Sequence, residues 1–248
     1  MRLTRCVRAA LASRLSGITV TGSMKYDPEE LVSGTDARFR AWLEKHGIDL
    51  GRPILLGGSL HPGEEEMLIS CFHLLRTEFP ELFLILVPRH AERTPEIVQL
   101  LQRENLRFTL RSEPNFEHDP CILIVNSTGE LREWYSTSSV VVVGKSFCGV
   151  GGQNPVEPIL ARKPVVVGPH MENFEYLVDE LRRVGGIIQL HSANALVPTI
   201  ADLLRNPSAA SGMVARASEA LSQHQGAIRR TASVIVARRD APSSQSPP

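Results

Sequence analysis

Five short apolar runs most constrain what this chain can fold into: Ile54–Leu56, Leu82–Val87, Cys121–Val125, Val140–Val143 and Pro164–Val167. None alternates apolar with polar residues, so none reads as a strand with one wet face; each suits a parallel sheet covered on both sides. Between them lie helical segments. His61-Pro-Gly-Glu-Glu-Glu66 opens a helix to Glu78, with Met67, Leu68, Cys71, Leu74 and Leu75 at helical spacing and an acidic first turn that suits the positive helix end. Further helices are expected at Thr35–His46, Thr94–Glu104, Leu131–Ser138, Asn154–Ala161 and Phe174–Val184, and then at Asn194–Arg205, Ser208–Ser222 and Ala227–Arg238. Ile18–Thr21, Phe108–Leu110 and Gly186–Leu190 read as additional strands. Strand alternating with helix from Ile54 to Leu190 predicts an α/β fold, a Rossmann-like parallel sheet with helices on both faces. Residues 17–240 read as one domain, preceded by an arginine-bearing helix or interdomain remnant over 1–16 and followed by a frayed tail over 241–248.

In such sheets ligands bind beyond the carboxyl ends of the strands. The polar clusters fall there: Ser59–His61, Pro88–His90, Ser127–Glu130, Lys145–Asn154 and Gly168–His170. The richest is Gly144–Pro158, a strand end, a glycine-rich loop and a helix start. Glycines let backbone approach a ligand closely, and free N–H groups at a helix start attract phosphate. Glu157, in the first helical turn, can accept from ribose hydroxyls. A tight turn with no ligand is the competing reading of the same residues.

Composition removes several classes. The 27 basic and 27 acidic residues cancel, which argues against a nucleic-acid partner. No apolar run reaches the roughly 18 residues that span a bilayer, and Met1–Arg14 lacks the apolar core of a signal peptide. Cys6, Cys71, Cys121 and Cys148 have no paired spacing, as expected of reduced thiols in a reducing compartment. The histidines show no metal-ligand spacing, and Ser59 and Ser146 lack a nucleophile elbow.

Six motifs occur in order: Val20-Thr-Gly-Ser-Met-Lys-Tyr-Asp27, His61–Glu66, Leu84-Ile-Leu-Val-Pro-Arg-His90, Gly129-Glu-Leu131, Gly151-Gly-Gln-Asn-Pro-Val-Glu-Pro158, and Lys163–His170 with Asn173-Phe174. Together, over about Gly17 to Arg238, they resemble the carboxyl-terminal half of the 3-deoxy-D-manno-octulosonic acid (Kdo) transferases of lipopolysaccharide synthesis. The resemblance implies the donor-binding domain of a GT-B glycosyltransferase, with CMP-Kdo as donor and no separate cofactor or metal. It implies a CMP site formed by Pro88 and Arg89, by Gly129, Glu130 and Leu131, and by Asn154, Pro155, Val156 and Glu157. His61, Lys145, Gly152, His170 and Asn173 are candidate cleft residues. It further implies a lipid A precursor as acceptor, with cytoplasmic location, peripheral to the inner membrane.

Departures accompany the match. The family's general-base glutamate belongs to an amino-terminal half with no counterpart here, so no catalytic residue is assigned. Lys145 stands where the family usually has glycine, and Gln153 where it commonly has histidine. Two readings stay open at this level: a transferase or its donor-binding half, and a nucleotide-binding module without transfer. A GT-B enzyme using a UDP-sugar fits the motifs less well.

Overall fold

The computed structural model describes residues 19–26, 36–115 and 119–239. The chain divides into two compact units, residues 31–220 and a smaller one made of residues 1–30 and 221–248. The expected helix over 1–16 and the tail over 241–248 lie outside the described residues.

In the larger unit seven parallel strands form one sheet. They are β1 (Ile54–Leu60), β2 (Phe83–Pro88), β3 (Phe108–Leu110), β4 (Ile122–Ile124), β5 (Val140–Val143), β6 (Val165–Val167) and β7 (Ile188–Gln189). Their order is β3-β4-β2-β1-β5-β6-β7, so the chain leaves β1 toward one edge and returns on its other side at β5. Leu55 pairs with both Leu84 and Val140, and Leu56 with Ile85 and Val141; all are essentially inaccessible. That burial is why the runs are uniformly apolar, each leucine contributing about 1.5–3 kcal/mol. Helices α1 (Asp36–Lys45), α2 (Glu64–Leu75), α3 (Thr94–Arg103), α4 (Leu131–Tyr135), α5 (Val156–Leu160), α6 (Glu175–Arg183), α7 (Leu196–Arg205) and α8 (Pro207–Ser222) complete the alternation. The architecture is the expected α/β, Rossmann-like sheet.

Several local expectations need correction. β1 does not end at Leu56 but continues through Gly57, Gly58 and Ser59 to Leu60. The glycines are there for packing: a Cβ on Gly57 would lie 2.3 Å from Leu68 Cδ1 of α2, and one on Gly58 2.9 Å from the Tyr135 hydroxyl of α4. On α2 the core takes Leu68, Cys71, Phe72 and Leu75, whereas Leu74 is 59% exposed. Leu68, Phe72 and Leu75 define the buried stripe, and Leu74 falls off it by more than a quarter turn. α4 stops at Tyr135 rather than Ser138. Three successive hydroxyls, Ser136, Thr137 and Ser138, bond back to the carbonyls of Glu133, Trp134 and Tyr135 (2.7–2.9 Å) and loosen the turn.

The smaller unit holds a 3₁₀ turn, Met24–Tyr26, and a helix, α9 (Ala227–Arg239). Thr19–Thr21, expected as part of a strand, has no regular structure. The Thr21 carbonyl accepts from the Arg230 guanidinium (3.0 Å), and the Ser23 N–H donates to His224 Nδ1 (3.2 Å). Side chains of α9 and the turn before it thus take the partners that a neighbouring strand would supply.

Candidate functional site

The five polar clusters follow β1, β2, β4, β5 and β6, which are contiguous in the sheet, and so meet along one carboxyl edge. The order reverses between β1 and β5, where a crevice opens in folds of this kind. There lies a cavity of about 390 Å³, lined by Ser59, Arg89, Gly129, Leu131, Gln153, Asn154 and Glu157 among others. A larger cavity, about 720 Å³, opens at the amino edge among Arg52, Phe79, Lys163 and Leu203. None of the clustered polar residues reaches it, so size does not locate the chemistry.

Each wall is positioned by backbone. Ser59 sits at φ +55°, where a register shift separates Gly58 from Leu60 in the pairing with β2. The Arg89 N–H donates to the Leu60 carbonyl (2.9 Å), fixing the turn after β2. The arginine side chain lies exposed on the cavity wall, with no carboxylate partner among the described residues. Pro88 closes β2, buried behind it. Gly129 turns at φ +83° and, with Leu131, presents the segment after β4. Glu130 faces elsewhere: its carboxylate accepts from Arg111 (3.2 Å) and from the Ser127 hydroxyl. Arg111 in turn lies 4.8 Å from the Trp42 ring centre. Asn154 Oδ1 accepts from Val156 N–H (3.0 Å) where α5 begins, and Glu157 follows within its first turn. Pro155 and Val156 are buried beneath. Tyr135, 2% exposed, borders the cavity from α4; burial, and next the Glu157 charge, push its phenol far above the ordinary range.

The glycine-rich loop holds the main departure from expectation. Its first N–H groups already have an anion. Glu64, fully buried at the start of α2, accepts from the N–H groups of Lys145 (2.7 Å), Ser146 (3.0 Å), Phe147 (3.0 Å) and Cys148 (3.4 Å), and of His61 (2.9 Å). A carboxylate of the protein fills the nest in which a phosphate was expected. Farther along, Gly151 N–H donates to Glu172 (2.6 Å). The N–H groups of Gly152, Gln153 and Asn154 have no acceptor among the described residues. Helix α5 is only five residues long, so its dipole is small. Glu64 escaped the sequence reading, which placed it in an acidic helix turn.

The candidate cleft residues divide. His61 does not line the cavity but touches Gln153, which does: its Nε2 lies 3.3 Å from the Gln153 amide nitrogen, and its ring 6.0 Å from that of His90. Lys145 holds φ +56° in the loop after β5. Gly152 (φ +67°) is packed from behind, since a Cβ there would meet Met171 Sδ at 2.4 Å. His170 and Asn173 do not line the cavity: His170 Nδ1 lies 3.3 Å from Glu172, and Asn173 N–H donates to the Gly151 carbonyl (3.0 Å). They brace the loop.

No protein-family model matches the sequence. The chain is 32% identical over 218 residues to the 3-deoxy-D-manno-octulosonic acid transferase of Haemophilus influenzae, covering 86% of this chain and 50% of that one. It thus spans about half the length of the curated relatives it matches. Among solved structures it is similar to the C-terminal CMP-Kdo binding domain of WaaA from Acinetobacter baumannii, with TM-score 0.69 and 29% identity, over 75% of this chain and 97% of that one. WaaG, a glycosyltransferase involved in lipopolysaccharide biosynthesis, shares the fold at TM-score 0.54 and 12% identity, over 86% of this chain and 54% of that one. These neighbours place the sheet among GT-B glycosyltransferase domains. Across 218 residues, then, the chain is homologous to 3-deoxy-D-manno-octulosonic acid transferases, of which it covers half the length.

Proposed function

We propose that the chain binds the CMP moiety of CMP-Kdo in the cavity at the β1/β5 switch, as the donor-binding part of a Kdo transferase acting on a lipid A precursor. One observation carries the reading. Arg89, Gly129 with Leu131, and Asn154 with Glu157 come from three separate strand ends and meet on one cavity. Similarity to a CMP-Kdo binding domain supports the choice of nucleotide.

In this reading Arg89 forms charge-assisted hydrogen bonds to the single phosphate, which charges further as CMP leaves. Glu157 accepts from the ribose hydroxyls. Backbone at Gly129 and the N–H groups of Gly152 to Asn154 supply neutral contacts. The acceptor hydroxyl, deprotonated by a base, attacks the anomeric carbon of Kdo while the bond to the phosphate oxygen of CMP breaks. This chain positions the donor and stabilises the leaving group; base and acceptor surface belong to the other half of the enzyme. Such an enzyme works at the cytoplasmic face of the inner membrane, held peripherally.

Calorimetric titration with CMP tests the reading. Wild type binds, and Arg89→Ala and Glu157→Ala each weaken binding about tenfold or more, about 1.4 kcal/mol. No heat with wild type, or undiminished affinity in both variants, overturns it. Transfer of Kdo by the purified chain alone would overturn the division of labour.

A further inference from the structure

Basic side chains gather beside the cavity on three of the loops at the carboxyl edge. Arg89 lines the cavity; beside it the His61 and His90 rings lie 6.0 Å apart, and the N–H groups of His61 (2.9 Å) and Lys145 (2.7 Å) meet on one Glu64 oxygen, which brings the loops after β1, β2 and β5 together. Glu157, on the cavity wall, is the carboxylate assigned to the ribose, and three others beside these basic groups are engaged. Both Glu64 oxygens are buried against backbone N–H groups, Glu65 pairs with Arg93 (2.7 Å), and Glu92 pairs with His90 (3.4 Å).

Lys145 is held at a price. Its left-handed φ of +56° costs about 1 kcal/mol for a residue with a Cβ, and the bond from its N–H to Glu64 keeps it there. A lysine maintained in a glycine conformation next to a ligand cavity points to a use for its ammonium group. Burial, together with Lys145, His90 and Arg89, holds the His61 imidazole below its ordinary range against the pull of Glu64. His61 therefore offers a neutral N–H, and the charge comes from Lys145.

We infer that Lys145, with His61 and the Gln153 amide beside it, forms the subsite for the carboxylate of the donor sugar. The inference rests on the proposed CMP-Kdo reading. Kdo is an acid whose carboxylate sits on the anomeric carbon, one bond from the oxygen carrying the phosphate. Two anionic groups so close need two cationic partners at neighbouring points: Arg89 takes the phosphate and Lys145 the carboxylate.

The test uses a non-hydrolysable methylene-phosphonate analogue of CMP-Kdo and the same analogue with its carboxylate converted to a carboxamide. Wild type prefers the carboxylate form by about tenfold, the worth of one charge-assisted contact. Lys145→Gly, which relieves the backbone conformation and so folds, binds both forms alike. Arg89→Ala weakens both and keeps the preference. If wild type binds CMP but does not discriminate, or Lys145→Gly discriminates as wild type does, the subsite assignment is overturned while the nucleotide site stands. If wild type binds neither CMP nor analogue, both readings fall.

Discussion

Removing the Glu64 carboxylate should cost this domain a large part of its stability, although the residue does not line the cavity. The side chain is fully buried and takes four N–H groups at 2.7–3.0 Å, with a fifth at 3.4 Å. At about 1.5–3 kcal/mol for each hydrogen bond to a charged acceptor, four bonds give a gross figure of about 6–12 kcal/mol. That rivals the whole stability of a domain, about 5–15 kcal/mol. The gross figure overstates the loss, because water can enter and the loop can relax. Breaking a buried charged interaction by removing one partner costs about 3–5 kcal/mol, and this is the expected effect of Glu64→Ala. With an unfolding slope near 2.5 kcal/mol/M in urea for a domain of this size, the midpoint should fall by about 1.5 M. Glu66→Ala, one residue from the same pair of glutamates but exposed, should cost about 0.5 kcal/mol. Added formate should restore part of the midpoint of Glu64→Ala and leave wild type unmoved, because it can occupy the emptied nest. Equal midpoints for Glu64→Ala and Glu66→Ala would refute the reasoning: the loop amides would then not depend on that carboxylate.

Gly168→Ala should lose about 1–3 kcal/mol in urea unfolding, because a Cβ there would stand 2.1 Å from the Ser146 carbonyl oxygen, a backbone atom that cannot swing aside. A loss under about 0.5 kcal/mol would mean that the loops after β5 and β6 separate freely. Burial first, and Glu157 next, raise the Tyr135 phenol, so the folded value lies above the unfolded one. Its contribution is complete below the unfolded value, about 10, and is lost as pH rises toward the folded one. The stability advantage of wild type over Tyr135→Phe should therefore shrink between about pH 8 and about pH 11; an advantage that stays constant in urea titrations at the two pH values counts against a protonated, buried Tyr135.

The sheet was legible because strands buried on both faces leave a plain mark: Val140–Val143 reads as a strand in any context. So was the carboxyl edge, since polar clusters recur after each run. Glycine was read less well. Gly57 and Gly58 look like an end to β1, yet they lie inside it, where they admit Leu68 and Tyr135. Local pattern cannot tell a glycine that breaks a strand from one that lets another element come close, because the difference lies in what approaches. Leu74 failed for a related reason: two apolar stripes one residue apart fit α2, and the sheet accepts one. The interaction least visible from sequence joins Glu64 to residues some eighty positions away, through strands that become neighbours only after the order reverses at β1.

That interaction changes what the glycine-rich loop is for. An open nest of N–H groups would bind phosphate by itself, and the loop would order only with ligand present. With Glu64 in the nest, residues 145–148 are fixed in advance, and their amides are spent. In the proposed reading the charge on the donor is then met by side chains, Arg89 and Lys145, on backbone already in place. The left-handed Lys145 follows from the same bond, because the glutamate that closes the nest also holds that residue's N–H. A preordered loop loses less conformational entropy on binding. If the donor binds as proposed, the buried carboxylate in α2 acts on recognition through the geometry it imposes on the loop after β5.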